Sequence, residues 1–313
     1  MILGDPSLKT CSLPTPWDGG DTAARERSVL LIGPRAFYLL ATTAESAVPV
    51  LYRADRFPTA IRDGWRELRE MAGAATLGLA AVAQDATVFV LRSGPGFAVD
   101  WQPIGSAAVE ASVQTGATSD LAPFTNRPAA GATVMREGIY VFGGRTTPRD
   151  VTRIPLERRS PNTPENLPAM TNGRVDAQAL VHGNFIYLVG GNDDGKPAIE
   201  RTRYPVSTDP ARVVWDPLPA PPAEGGAIIS AVVSRGKLWI VREEGQIQSM
   251  LLADIAPGNA RGPLGSYDTT GLPRREGRQF HAGDALVLFG PGDARSRYGR
   301  PPSIPVLQHR RST

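Results

Sequence analysis

A chain of 313 residues, 21% charged and 41% hydrophobic, has the composition of a folded soluble protein and can bury a sizeable core. No stretch reaches about 18 apolar residues, which excludes a spanning helix, and the lone cysteine, Cys11, excludes an internal disulfide or a cysteine-rich metal cluster. The net charge of +3 is modest and comes almost wholly from arginine, since Lys9, Lys196 and Lys237 are the only lysines; no nucleic-acid partner is expected from it.

Residues 1–27 are polar and proline-rich, with Pro14-Thr-Pro-Trp17 at their centre. Met1-Ile-Leu-Gly-Asp-Pro6 lacks the basic start and apolar core of a signal peptide, so a cytoplasmic protein is expected unless a leader has been removed. Six short apolar runs then follow: Phe37-Tyr-Leu-Leu40, Val88-Phe-Val-Leu91, Ile139 in Gly138-Ile-Tyr-Val-Phe-Gly-Gly144, Ile186 in Phe185-Ile-Tyr-Leu-Val-Gly-Gly191, Leu238-Trp-Ile-Val241 and Leu286-Val-Leu-Phe289. Their first residues are 51, 51, 47, 52 and 48 apart, too even for chance. Branched and aromatic residues suit a strand, and the glycine pairs allow a sharp turn and close backbone approach. A period near 50 is that of propeller blades.

Five of the six runs are preceded by a second apolar stretch rich in small residues: Ser28–Ile32, Leu77–Val82, Gly131–Val134, Ala177–Val181 and Ile228–Val233. Small residues suit the crowded strand nearest a central axis. Alternating stretches such as Pro49–Arg53 and Thr202–Val206 predict third and fourth strands, half-buried between adjacent repeats. Trp65 and Trp215 each lie 23 residues before a marker run and continue as Trp-x-x-Leu; Trp17 lies 20 before Phe37. Trp17 therefore marks an outer strand with no place in the first repeat. The N-terminal segment is expected to complete the last one, closing a ring and removing free sheet edges. Residues 106–120 break the pattern, and 62–71 admit a short helix, although Trp65–Leu68 fits the outer-strand pattern equally.

Arg127 through Gly144 and Arg174 through Gly191, with the joints Leu167-Pro168, Leu218-Pro219 and Leu272-Pro273, resemble kelch repeats. The resemblance covers essentially the whole chain, with the full Gly-Gly signature in repeats three and four alone. It implies an all-β, six-bladed kelch-type β-propeller occupying 1–313 as one domain. Residues 1–27 form the closing segment, and blades start near 28, 77, 130, 177, 228 and 279. Kelch likeness defines a fold and leaves activity to the site.

Arg25, Arg127, Arg174 and Arg274 each stand 12 residues before a marker run; Arg278 fits better when the Leu-Pro joints are aligned. In kelch propellers arginines at this position face the channel mouth, which implies a basic ring suited to carboxylates or phosphates. The alternative is a consensus structural arginine bonded to inter-blade carbonyls or loop carboxylates. His182 and His281 precede marker runs without a third metal ligand, so no metal or other cofactor is expected. Asn192-Asp-Asp-Gly195 reads as a hairpin turn. No P-loop, dinucleotide or nucleophile-elbow motif is present. The expectation is a monomeric, non-catalytic binding propeller for a protein, peptide or acidic glycan, without membrane insertion. The alternative is a carbohydrate-active enzyme resembling bacterial sialic-acid mutarotases, with Glu224 or Glu276 moving the proton.

Overall fold

An apolar residue at every position of Ile139-Tyr-Val-Phe142 makes a strand that needs cover on both faces, and in the computed structural model both are covered. The structure describes residues 8–14, 29–32, 36–41, 50–55, 66–70, 80–84, 87–92, 98–103, 130–135, 137–157, 160–191, 199–218, 220–221, 226, 228–234, 236–242, 247–252, 265–267, 279–282, 285–289 and 303–309. Among them the fold is all-β, with one three-residue 3-10 turn, Pro210–Arg212.

The described strands pair into six antiparallel sheets, five of them built from neighbouring stretches of chain and the last joining the first strand to the C-terminal strands. The first strand, β1 (Leu8–Pro14), stands apart from those that follow it. One sheet holds β2 (Val29–Ile32), β3 (Ala36–Ala41), β4 (Val50–Asp55) and β5 (Arg66–Glu70). The next holds β6 (Ala80–Gln84), β7 (Thr87–Arg92) and β8 (Ala98–Pro103). The third holds β9 (Gly131–Met135), β10 (Gly138–Phe142) and β11 (Val151–Glu157), with β12 (Ser160–Pro161) and β13 (Glu165–Leu167) both on β11. The fourth runs β14 (Gln178–His182), β15 (Phe185–Val189), β16 (Ile199–Arg203), β17 (Asp216–Leu218). The fifth runs β18 (Ile228–Ser234), β19 (Lys237–Arg242), β20 (Ile247–Leu251), β21 (Gly265–Tyr267). The last runs β22 (Gln279–Ala282), β23 (Ala285–Phe289), β24 (Ser303–His309), and its outer strand is β1, with Leu8 opposite His309 and Pro14 opposite Ser303.

All six marker runs are second strands, and the described parts of the five small-residue stretches lie in first strands to within a residue; residues 28 and 77–79 lie outside the described residues. Residues 66–70 form a strand, not a helix. The third strand of the fourth sheet lies at Ile199–Arg203, three residues earlier than the predicted Thr202–Val206, because Pro205 has no N–H to continue the ladder. Residues 106–120 and 192–195 lie outside the described residues. The chain divides into two compact units, Met1–Met71 with Pro219–Thr313, and Ala72–Leu218.

The second unit shows why the marker strands are apolar throughout. Side chains alternate across a strand. Ile139 and Val141 of β10 pack with Phe89 and Leu91 of β7 and Ile154 of β11. Tyr140 and Phe142 point the other way and pack with Ile186 and Leu188 of β15, Met170 and Trp215. The Trp215 ring meets Phe142 edge-on, with centroids 6.1 Å apart and planes at 86°. The tryptophan before the outer strand of one sheet thus fastens it to the second strand of the preceding one.

Candidate functional site

Two sets of loops share one end of the sheets in the second unit: those linking second to third strands and those entering a sheet's first strand. The segment Gly143–Asp150 links β10 to β11, and 168–177 enters β14. Backbone bonds stitch them together. Gly144 N–H donates to the Arg174 carbonyl at 2.9 Å, Arg174 N–H to the Pro148 carbonyl at 2.7 Å, and Met170 N–H to the Arg149 carbonyl at 2.8 Å. Val175 N–H then donates to the carbonyl of Gly191 at 2.7 Å.

The glycine pairs make this approach possible. Gly143 has φ +61°, and a Cβ there would stand 2.2 Å from the Arg174 carbonyl oxygen. Gly191 has φ +61°, and a Cβ there would meet the Ala177 nitrogen at 2.4 Å. Only glycine fits such a conformation at such a distance.

Arg174 is fully buried. Its Nε donates to Glu200 Oε1 at 2.9 Å and its Nη1 to the Gly190 carbonyl at 2.6 Å. Glu200, 1% exposed, also accepts from Asn172 Nδ2 at 3.2 Å through its other oxygen. The burial is tolerable because each charge has a charge-assisted partner. Of the two readings of this register, Arg174 shows the structural one, since its guanidinium faces the sheet interior and not solvent. Arg25, Arg127, Arg274 and Arg278 lie outside the described residues, as do Glu224 and Glu276.

A second fully buried arginine, Arg242, was not singled out by the repeat register. It ends β19. Its Nε donates to Gln248 Oε1 at 3.1 Å, its Nη1 to the Gly226 carbonyl at 2.5 Å and its Nη2 to the Pro221 carbonyl at 3.3 Å. Burial lowers its pKa from the ordinary guanidinium value. Counting four residues onward from the marker positions, in place of twelve back, would have found it.

The exposed polar groups of this loop cluster are Arg145, Thr146, Arg149, Thr171 and Asp176. Asp176 has φ +60°, in the left-handed region that aspartate tolerates better than most residues. Arg145 and Arg149 extend from the loop that holds the Arg174 backbone, so the buried lock fixes the loop bearing the exposed cations.

The opposite end of the third sheet carries a different polar chain. Tyr140 OH donates to Glu137 Oε1 at 2.9 Å, and Arg153 Nη2 bonds Glu165 Oε2 at 2.5 Å. Burial, with the Glu137 bond and charge, pushes the Tyr140 phenol well above its ordinary pKa. His182 ends β14 opposite Phe185, whereas His281 lies in β22 opposite Val287. They stand on different sides of their marker positions, so the two histidines are not equivalent. Among the described residues no three His, Cys, Asp or Glu side chains gather where a metal would bind.

Repeated antiparallel sheets define an all-β protein, and such a fold leaves activity to be argued from its sites. A solved structure with the same fold is that of YjhT, which is 12% identical, covers 96% of this chain and 97% of its own, and aligns with a TM-score of 0.62. No protein-family model matches the chain. No curated protein matches it in sequence.

Proposed function

We propose that the chain is a six-bladed kelch-type propeller closed by β1 on β24, and that it is a binding module for an anionic protein, peptide or glycan. The ligand sits on the loop end of the sheets. The observation that carries this reading is the backbone-stitched loop pair Gly143–Asp150 and 168–177, which presents Arg145 and Arg149 to solvent on a fixed frame. Two guanidinium groups on a rigid loop suit carboxylate or phosphate, because little ordering entropy is lost on binding. In this reading the register arginines Arg25, Arg127, Arg174, Arg274 and Arg278 serve the face from behind or at its edge, Arg174 from within the sheet.

The test is ligand-induced thermal stabilisation with sialic acid, acidic peptides and neutral sugars. A concentration-dependent rise with the acids, lost in an Arg145→Met/Arg149→Met variant of unchanged intrinsic stability, is the expected result. Equal shifts with wild type and variant would sink the assignment of these two residues. An enzyme acting on an acidic sugar is the second reading, with Glu224 or Glu276 as the group that moves the proton. It predicts a faster anomerisation rate on adding protein, lost with Glu224→Gln or Glu276→Gln.

A further inference from the structure

The arginine register has an exception that the buried side chains explain. Twelve residues before the six marker positions stand Arg25, Thr76, Arg127, Arg174, Gly226 and Arg274. Four residues after them stand Ala41, Arg92, Gly143, Gly190, Arg242 and Gly290. Each repeat has one arginine in these two places, and none has two. Arginine fills 31 of 313 positions, so a given pair of places would hold one by chance in about one repeat in five.

The geometry shows that the two places face each other. In the fourth sheet Arg174, from the entry loop, bonds the carbonyl of Gly190, four residues after the marker. In the fifth sheet Arg242, four residues after the marker, bonds the carbonyl of Gly226, in the entry loop. Each arginine thus reaches the backbone of the place where the other sheet keeps its arginine. The opposing residue is in both cases a left-handed glycine, Gly190 at φ 71° and Gly226 at φ 82°. Both Nε groups also find the same third-strand position. Glu200 lies opposite Leu188 and Gln248 opposite Ile240, each two residues past the marker.

We propose that each sheet is locked by one guanidinium delivered from either of two facing chain positions, and that Arg92 is the lock of the sheet β6–β7–β8, with Asp100 as its acceptor. Arg92 occupies the place of Arg242, and Asp100 lies opposite Val90, the place of Gln248 and Glu200. A ring of ligand contacts would not explain the exchange. Arginine leaves the entry loop only in the two repeats whose marker strand itself ends in arginine. A lock explains it, because the sheet needs the charge in one place and is indifferent to which strand end supplies it.

The experiment compares thermal midpoints of Arg92→Met, Arg174→Met, Arg242→Met and the exposed control Arg145→Met. Stranding a buried partner lowers the midpoint by on the order of 5–10 °C for the first three, with the control within about 1 °C of wild type. A control-like Arg92→Met beside two destabilised variants would overturn the assignment. Should Arg92→Met fail to fold, the cycle Arg92→Lys, Asp100→Asn and their double variant decides. Direct contact requires the two midpoint losses to be non-additive, and strict additivity would overturn the pairing.

Discussion

Arg174 and Glu200 are both at most 1% exposed, so neither charge has water to fall back on. Removing one leaves the other desolvated, and Arg174→Met should cost about 3–5 kcal/mol by chemical denaturation. Glu200→Gln should cost less, since Gln248 already accepts an arginine Nε in the corresponding place of the fifth sheet. Equal losses would mean that charge, not hydrogen bonding, holds the lock. Tyr140 gives a pH prediction. Its folded pKa is raised above that of the unfolded chain, so above about pH 10 the unfolded state sheds a proton that the folded state keeps. The associated stability is complete below that pH and declines as pH rises toward the folded value. Tyr140→Phe should flatten this alkaline decline; an unchanged slope in the thermal midpoint between pH 9 and 11 would place its cause elsewhere.

At the scale of the element, two glycines with nearly the same dihedral separate conformational cost from crowding. Gly183 has φ +56° with nothing within 4 Å of a built Cβ, while Gly143 has φ +61° and the Arg174 carbonyl oxygen at 2.2 Å. Gly183→Ala should therefore cost about 1–2 kcal/mol, the left-handed penalty alone. Gly143→Ala should cost markedly more and should disturb the amides of 170–175, which hydrogen exchange would read as faster opening. The strands themselves were legible in sequence. The marker run of β10 is sandwiched between sheets and is apolar on both faces, so it stands out without any alternation. Arg242 was not legible through spacing at one position, and its partner Gln248 carries no charge to flag the pair. Arg145 and Arg149 lie in a loop with no repeating spacing, and only the backbone bonds to Arg174 mark their place. The third-strand boundary at Arg203 slipped because local alternation continues past the point where Pro205 ends the pairing.

For the whole molecule, the sheet that joins β24 to β1 makes a direct prediction. Deleting residues 1–14 would bare the edge of β24 along its seven-residue pairing from Leu8–His309 to Pro14–Ser303. The truncated chain should lose thermal stability and associate at concentrations where the full chain does not, as sedimentation would show. A monomeric truncation of undiminished stability would mean that β1 is dispensable and would remove the support it lends to a closed ring. The central functional claim is that the loop end binds an anion through Arg145 and Arg149 on a frame held by buried arginines. It is tested most directly by thermal shift with sialic acid and acidic peptides on wild type and the Arg145→Met/Arg149→Met variant. The expected result is a rise with acidic ligands in the wild type and none in the variant, whose unliganded midpoint is unchanged. A rise of the same size in both, or no rise with any anion, would contradict it.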